Sequence, residues 1–501
     1  MCEAPARSTR SLRSNGAYSI RADAYHAARF RQAKRRPPYA ALVQGADGNL
    51  YGTTQTGGAY NHGTIFKITP NGLYTRLYSF CLQGGPYCAD GSGPNAPLIQ
   101  APDGDFYGTT QHGGADCGTG EIFNSGGTVF KISPGDTLTT LYTFSSVESG
   151  CNPTTGLVLG TDGNFYGTTE YGGTGYYQDG TIFKITPSGA LTTIHNFCSQ
   201  AGTLCPDGAY PTGLMLASDG NLYGTTEWGG SSTGIDEAEG TVFEITPSGL
   251  LTTLYSFCPS YPDCSDGANP EGGLIQAANG DFYGTTYKGG VNDNSGTAFK
   301  ISPSGILTTL YSFRTSYPDC ADGVNPEGGL VQAAAGDLYG TTPYGGAGGS
   351  GTIFTMTPSG TLTTLHRFCW DNSATGCGEN PTAGLVQDTN GDFYGTTAWG
   401  YPVIDVDGTV FRLSVGLGPF VKTQTTFGEA GSAVNILGTD LTGATSVSFN
   451  DASAVFTVVS ATEITAIVPA GATTGTVQVL TPRGTLSSNV PFRVLTKGTH
   501  Q

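Results

Sequence analysis

Charge is scarce in this chain of 501 residues, where Asp, Glu, Lys and Arg make up 12%. That is about half the share of an ordinary globular domain and excludes a coiled coil, whose seam needs charged flanks. Long apolar runs are missing as well. No stretch of about 18 apolar residues could cross a membrane as a helix, and the start lacks the 7–15-residue apolar run of a secretory signal. Histidine occurs six times, and Met and Trp three times each. No HExxH or CxxC is present, and no glycine-rich phosphate loop precedes a helix. The common zinc and nucleotide sites are therefore not expected, and neither is a cofactor.

The charge that exists is divided along the chain. Residues 1–38 hold nine of the 22 Lys and Arg with only Glu3 and Asp23, which leaves 13 basic against 37 acidic residues in the remainder. An acidic body repels phosphate backbones and anionic lipid, so nucleic acid is not an expected partner. The basic leader reads as a solvated segment.

Glycine is abundant, at 78 positions, and is joined by 26 Tyr and 24 Phe. The rings exclude disorder, and the lack of a Gly triplet excludes collagen. The tetrapeptide YGTT begins at Tyr51, Tyr107, Tyr166, Tyr223, Tyr283, Tyr339 and Tyr394. Each copy follows one grammar, in the fifth GLIQA, DFYGTT, GTAFKIS and ILTTLYSF. These are four β-type runs separated by turn signals. Asp-Gly or Asn-Gly joins the first two runs in six copies, as at Asp47-Gly48 and Asn279-Gly280, and Pro-Ser-Gly or Pro-Asn-Gly joins the last two, as at Pro70-Asn71-Gly72 and Pro187-Ser188-Gly189. Both favour tight hairpins. Seven four-stranded units over residues 39–415 predict a seven-bladed β-propeller, in which Tyr fills the wedge between blades and Gly admits a neighbouring backbone. The seventh unit stops at GTVFRLS, so a ring needs a closing strand, expected near residues 17–25 within the 1–38 segment. From residue 416 to 495 short alternating strands without cysteine predict an antiparallel, immunoglobulin-like β-sandwich, followed by a tail at 496–501.

Eight of the 12 cysteines form close pairs in one recurring loop: Cys81/Cys88, Cys198/Cys205, Cys258/Cys264 and Cys369/Cys377. Spacings of six to eight residues in Gly- and Asp-rich loops suit local disulfides and an oxidising compartment. Cys117 is a candidate mate for Cys151, while Cys2 and Cys320 have no assigned partner. The loops PDCSDGANPEGG and PDCADGVNPEGG gather Asp263, Asp266, Asn269 and Glu271, then Asp319, Asp322, Asn325 and Glu327. Calcium favours such oxygen clusters, but turn formation is the expected role of Asp263, Asp266, Asp319 and Asp322.

The unit GLxQAxDGNLYGTTxxGGxxxxGTIFKITPSGxLTTLYSF resembles the Gloeo/Verruco (GloVer) tandem repeat. Residues 428–441 and 457–471 resemble an IPT/TIG immunoglobulin-like domain. Both resemblances imply an extracellular or cell-surface bacterial protein, and neither brings a catalytic residue.

Residues identical in every copy are expected to build the units; a binding site should lie where copies differ. The position two residues after YGTT reads Thr56, His112, Tyr171, Trp228, Lys288, Tyr344 and Trp399. Tyr171, Trp228, Tyr344 and Trp399 there offer flat rings that could stack on sugars or grip a peptide, or could instead pack on adjacent loops. The expected function is a monomeric, non-catalytic carbohydrate- or protein-binding module. A polysaccharide hydrolase or lyase and a purely structural surface protein are the alternatives. An enzyme should concentrate Asp, Glu, His or Tyr in part of the repeat array, and a scaffold should not.

Overall fold

The computed structural model describes residues 40–85, 87–117, 126–174, 178–199, 205–231, 239–259, 263–292, 294–314, 319–346, 348–368, 378–400 and 408–495. Within them the chain is all β apart from two short 3-10 turns at Val147–Ser149 and Asp319–Asp322. Each of the first six repeats is a four-stranded antiparallel sheet with its strands in chain order. The fifth runs Ile275–Gln276, Phe282–Thr286, Thr297–Ile301 and Leu307–Ser312. The seventh has three strands among the described residues, Val386–Gln387, Phe393–Thr397 and Thr409–Leu413. The closing segment expected near 17–25 lies outside the described residues.

The Asp-Gly and Asn-Gly turns place Gly48, Gly104, Gly163, Gly220, Gly280 and Gly391 at φ between 75° and 97°, the left-handed region that hairpin turns demand. The first run is shorter than its GLIQA pattern suggests, pairing over only two residues in six of the seven repeats. Close approach accounts for the rest of that run in repeats four to seven. A Cβ on Gly213 would meet the Gly273 Cα at 3.0 Å, and one on Gly384 would meet the Gly329 carbonyl oxygen at 2.9 Å. The first strands of these four repeats therefore converge.

Burial grades across each sheet. The second strand is wholly buried, the third exposes only its Lys position, and the fourth is half-buried. Sheets pack face to face through aromatic clusters. Tyr283 and Phe313 of the fifth repeat meet Leu330, Leu338 and Phe354 of the sixth. The same arrangement joins every consecutive pair. Leu42, Leu50 and Phe66 of the first repeat pack on Tyr394 and Val410 of the seventh. Each fully buried Phe contributes about 2–3 kcal/mol. Four YGTT tyrosines stack on the next repeat's Phe at 4.1–4.2 Å between centroids, as Tyr51 does on Phe106 and Tyr223 on Phe282, and Tyr166, Tyr283 and Tyr394 pack with Leu222, Leu338 and Leu50 instead. The YGTT glycine has a different reason from the one its sequence suggested. A Cβ on Gly284 would collide with its own sheet's Phe299 ring at 2.7 Å, so the close neighbour is a ring rather than a backbone.

Polar side chains join the sheets at both edges. Gln276 accepts from the Ser218 amide of the preceding repeat at 2.8 Å and donates to the Gly280 carbonyl at 3.1 Å. Gln100 and Gln332 make the same pair of bonds. Gln44 of the first repeat donates to Thr389 of the seventh at 3.0 Å.

Disulfides link Cys81–Cys88, Cys117–Cys151, Cys198–Cys205 and Cys258–Cys264. Cys2, Cys369 and Cys377 lie outside the described residues, as does the side chain of Cys320.

The C-terminal unit holds two four-stranded sheets and a parallel pair, Phe427–Glu429 with Arg493–Leu495. Val434, Ile436, Val447, Phe449, Ile464, Val477, Val479 and Phe492 form its core. It docks on the side of the array that carries the Asp-Gly turns. Thr462 Oγ1 donates to the Ala46 carbonyl at 2.8 Å, Gln424 Nε2 to the Ala101 carbonyl at 3.0 Å, and Thr439 bonds Thr389 at 3.0 Å. Lys422 is half-buried at this junction and falls to about 8 through desolvation of its ammonium, opposed by the charge of Asp388.

Candidate ligand-binding site

The opposite side of the array is built from two loops per repeat, one leaving the second strand and one entering the first. They are tied together by backbone pairing at the variable position: Ser92 with His112, Cys151 with Tyr171, Ala268 with Lys288, and Val324 with Tyr344. Ala209 pairs with Trp228 and Glu379 with Trp399 in the same way. The last Thr of YGTT fixes the same residue from behind. In all seven repeats its hydroxyl donates to the carbonyl two residues on, from Thr54 to Thr56 at 2.8 Å through to Thr397 to Trp399 at 2.9 Å. The preceding Thr reaches the next repeat instead, as when Thr341 donates to the Ala383 carbonyl at 2.9 Å.

The four aromatic candidates thus stand at one register on one side. Trp228 is 38% exposed, Tyr344 43% and Trp399 42%, so none of the three is covered by the described loops. Tyr171 is half-buried and meets Tyr210 edge-on at 5.6 Å. Lys288 Nζ lies over the Trp228 ring, 5.6 Å from its centroid. Burial lowers His112 below the ordinary histidine value, and Asn152 Nδ2 approaches its Nδ1 at 3.2 Å.

Carboxyls gather beside these rings. The residue just after YGTT is Gln55, Gln111, Glu170 and Glu227 in repeats one to four, and Gln55 Nε2 donates to Gln111 Oε1 at 3.3 Å. Glu170 is bonded by Tyr171 and Gln111, and Glu227 by Trp228, yet burial raises both. Glu271 and Glu327 come from the loops entering repeats five and six. Burial first, then the charges of Glu327 and Glu227, push Glu271 up to about 8, and burial lifts Glu327 to about 7.

These two glutamates were visible in the sequence as members of the acidic loops, but the structure divides those loops. Asp266 turns outward and accepts from the Tyr255 hydroxyl at 2.8 Å and the Cys258 amide at 3.1 Å. Asp322 accepts from Tyr311 likewise. Asp263 is exposed, and the Asp319 side chain lies outside the described residues. Asp266 and Asp322 are thus engaged by groups of their own repeat's fourth strand and the loop that follows it, the turn-forming role expected of them. Among the described residues, the only groups of three or more His, Cys, Asp or Glu with ligand atoms mutually close are His62–Cys81–Cys88 and Asp179–Cys198–Cys205, and those cysteines are spent in disulfides.

The Gloeobacter/Verrucomicrobia repeat model matches residues 11–236 and 210–451, and the IPT/TIG domain model matches residues 419–494. No curated protein matches the chain. Among solved structures, streptogramin B lyase is similar over 77% of this chain and 96% of its own, at 16% identity and a TM-score of 0.47. A luciferin-regenerating enzyme is similar over 65% of this chain and 93% of its own, at 12% identity and a TM-score of 0.36.

Proposed function

The chain belongs to the Gloeobacter/Verrucomicrobia repeat family, and from that premise we propose that it is a seven-bladed β-propeller with an immunoglobulin-like cap, acting outside the cell as a non-catalytic saccharide-binding module. Seven inter-sheet clusters support the ring, the last of them joining repeat seven to repeat one. Four disulfides suit an oxidising compartment. The observation that carries the binding role is the set of exposed rings, Trp228, Tyr344 and Trp399, each held at the same register by a threonine of its own repeat, with the Glu227 carboxyl bonded by Trp228. An apolar ring face covers the C–H face of a sugar while carboxyls take its hydroxyls. The cap occupies the other side, so access is from the ring-bearing side.

One observation favours a hydrolase or lyase as the second reading. The glutamates concentrate in repeats three to six, and Glu271, at about 8, holds a proton at neutral pH as a general acid must. Two assays on one set of polysaccharides separate these readings. Tryptophan quenching that is lost in Trp228→Ala, without release of reducing or unsaturated ends, supports the binding module. Turnover abolished by Glu271→Gln would replace it with the enzyme. No quenching by any saccharide would refute the saccharide module.

A further inference from the structure

We propose that the immunoglobulin-like cap is the clasp of the ring, holding the seventh repeat against the first and bracing both against the fourth. This rests on the ring reading above and assigns the cap a task within it.

Chain order is the first argument. The chain passes directly from each of the first six repeats into the next, which ties six joints covalently. From the seventh it leaves at Leu413 and enters the cap at Lys422 instead of the first repeat. At that joint Leu42, Leu50 and Phe66 pack on Tyr394 and Val410. Two sides that no short linker joins lack the effective concentration a linker provides, so this joint closes less firmly than its neighbours unless something else ties it.

The cap supplies that tie. Thr389 of the seventh repeat is fully buried and bonded on both hands. Gln44 Nε2 of the first repeat donates to its hydroxyl at 3.0 Å, while the Thr439 hydroxyl and the Phe420 amide reach its hydroxyl and carbonyl at 3.0 Å each. Thr462 Oγ1 of the cap holds the Ala46 carbonyl of the first repeat, and Gln424 Nε2 holds the Gln100 and Ala101 carbonyls of the second. The turn glycines show where else the cap bears. A Cβ on Gly48, Gly220 or Gly391 would collide with Thr462, Arg493 or the Leu417 carbonyl, whereas one on Gly104, Gly163, Gly280 or Gly336 would meet nothing within 4 Å. In a ring of seven the fourth repeat stands opposite the joint between the seventh and the first, so the cap spans the ring.

The seventh repeat is altered for this contact. Asp388 stands buried just ahead of its turn, where the other six repeats carry Gly45, Ala101, Gly160, Ala217, Ala277 and Ala333. The cation in its field is Lys422 of the cap. A buried carboxyl is unfavourable without a partner of opposite charge, and the cap brings that partner to this repeat. The one turn that departs from the repeat's small residue is thus the one beside the joint that the chain does not cross.

The test is the rate at which a buried thiol is alkylated in the full chain, located by mass spectrometry. Val410→Cys places the thiol in the closing joint, and Ala298→Cys places it at the same register between the fifth and sixth repeats. Each is measured with and without Thr462→Val and Gln424→Glu. These two changes remove the cap's donors to the first and second repeats, leave Thr389 and Gln44 as they are, and keep the oxygen of residue 424 that accepts from Asn435. Labelling at residue 410 should quicken about tenfold or more, as the loss of these hydrogen bonds implies, while labelling at residue 298 keeps its rate. An unchanged rate at residue 410, or an equal rise at both thiols, overturns the clasp and leaves the ring standing. If residue 410 is labelled as fast as a free thiol with the cap bonds intact while residue 298 is protected, the ring is open at that joint and both readings fall.

Discussion

Replacing Glu271 and Glu327 by Gln should stabilise the free protein, and should do so only above mildly acidic pH. Both carboxyls rise from an ordinary 4.5, Glu271 to about 8 and Glu327 to about 7, mainly because burial disfavours their charged forms. The native state therefore binds more protons than the unfolded state between those values, and stability falls as pH climbs through that window. The full shift at Glu271 corresponds to about 5 kcal/mol, at about 1.36 kcal/mol for each tenfold in proton affinity. Both side chains keep part of their surface in water. Allowing for that screening by about half leaves about 2 kcal/mol for Glu271 and about 1–2 kcal/mol for Glu327. Gln keeps the shape and the hydrogen-bonding oxygen without the charge. In a domain larger than 250 residues, roughly 1–2 °C accompanies each kcal/mol. The double variant should therefore melt about 3–6 °C above wild type at pH 8.5 and at the same temperature at pH 4.5. Scanning calorimetry across that range is the assay. An equal melting temperature at pH 8.5, or a gain of the same size at both pH values, would refute the reasoning, because neither follows from desolvated carboxyls.

Three further outcomes are expected. Gln276→Ala removes the acceptor of the Ser218 amide and should cost about 1–2 kcal/mol in denaturant unfolding without changing sugar affinity. Cys117→Ser with Cys151→Ser opens a link spanning 34 residues and should cost about 3–4 kcal/mol, against about 2 kcal/mol for the seven-residue Cys81–Cys88 loop, measured by unfolding under non-reducing conditions. Trp228→Ala should reduce saccharide affinity about 10-fold or more in fluorescence or calorimetric titration, and Trp399→Ala, far from the glutamates in repeat order, should weaken it less.

Much of the architecture was legible because it repeats. Hairpin turns, the Tyr wedge and the local cysteine pairs all follow from residue types whose backbone or bonding demands are local. Other features needed three dimensions. The Gln of GLIQA bridges two repeats, with a partner 58 positions away in the case of Gln276 and Ser218, a pairing that no local pattern announces. The parallel pair Phe427–Glu429 with Arg493–Leu495 joins the two ends of the sandwich and has no hairpin to announce it. In the acidic loops, proximity in sequence suggested one oxygen cluster. Asp266 and Glu271 separate because Pro270 and the left-handed Asn269, at φ 51°, turn the chain between them. Asp266 is left facing its own fourth strand, while Glu271 is brought into the field of glutamates from other repeats.

The two threonines of YGTT explain why a site can vary on so regular a frame. One binds the next repeat and the other binds the carbonyl of the variable residue, so both bonds are made to the main chain and neither depends on which side chain follows. Thr56, His112, Tyr171, Trp228, Lys288, Tyr344 and Trp399 can therefore be exchanged without loosening the frame. The cap bonds the turns of the opposite edge and leaves these positions uncovered. A purely structural array would give no reason for four glutamates to be desolvated on one arc of this face, because each one lowers stability at neutral pH. A resident cost of that kind is offset by a ligand that binds only the folded state and hydrogen-bonds these carboxyls, as the saccharide proposed for this face would.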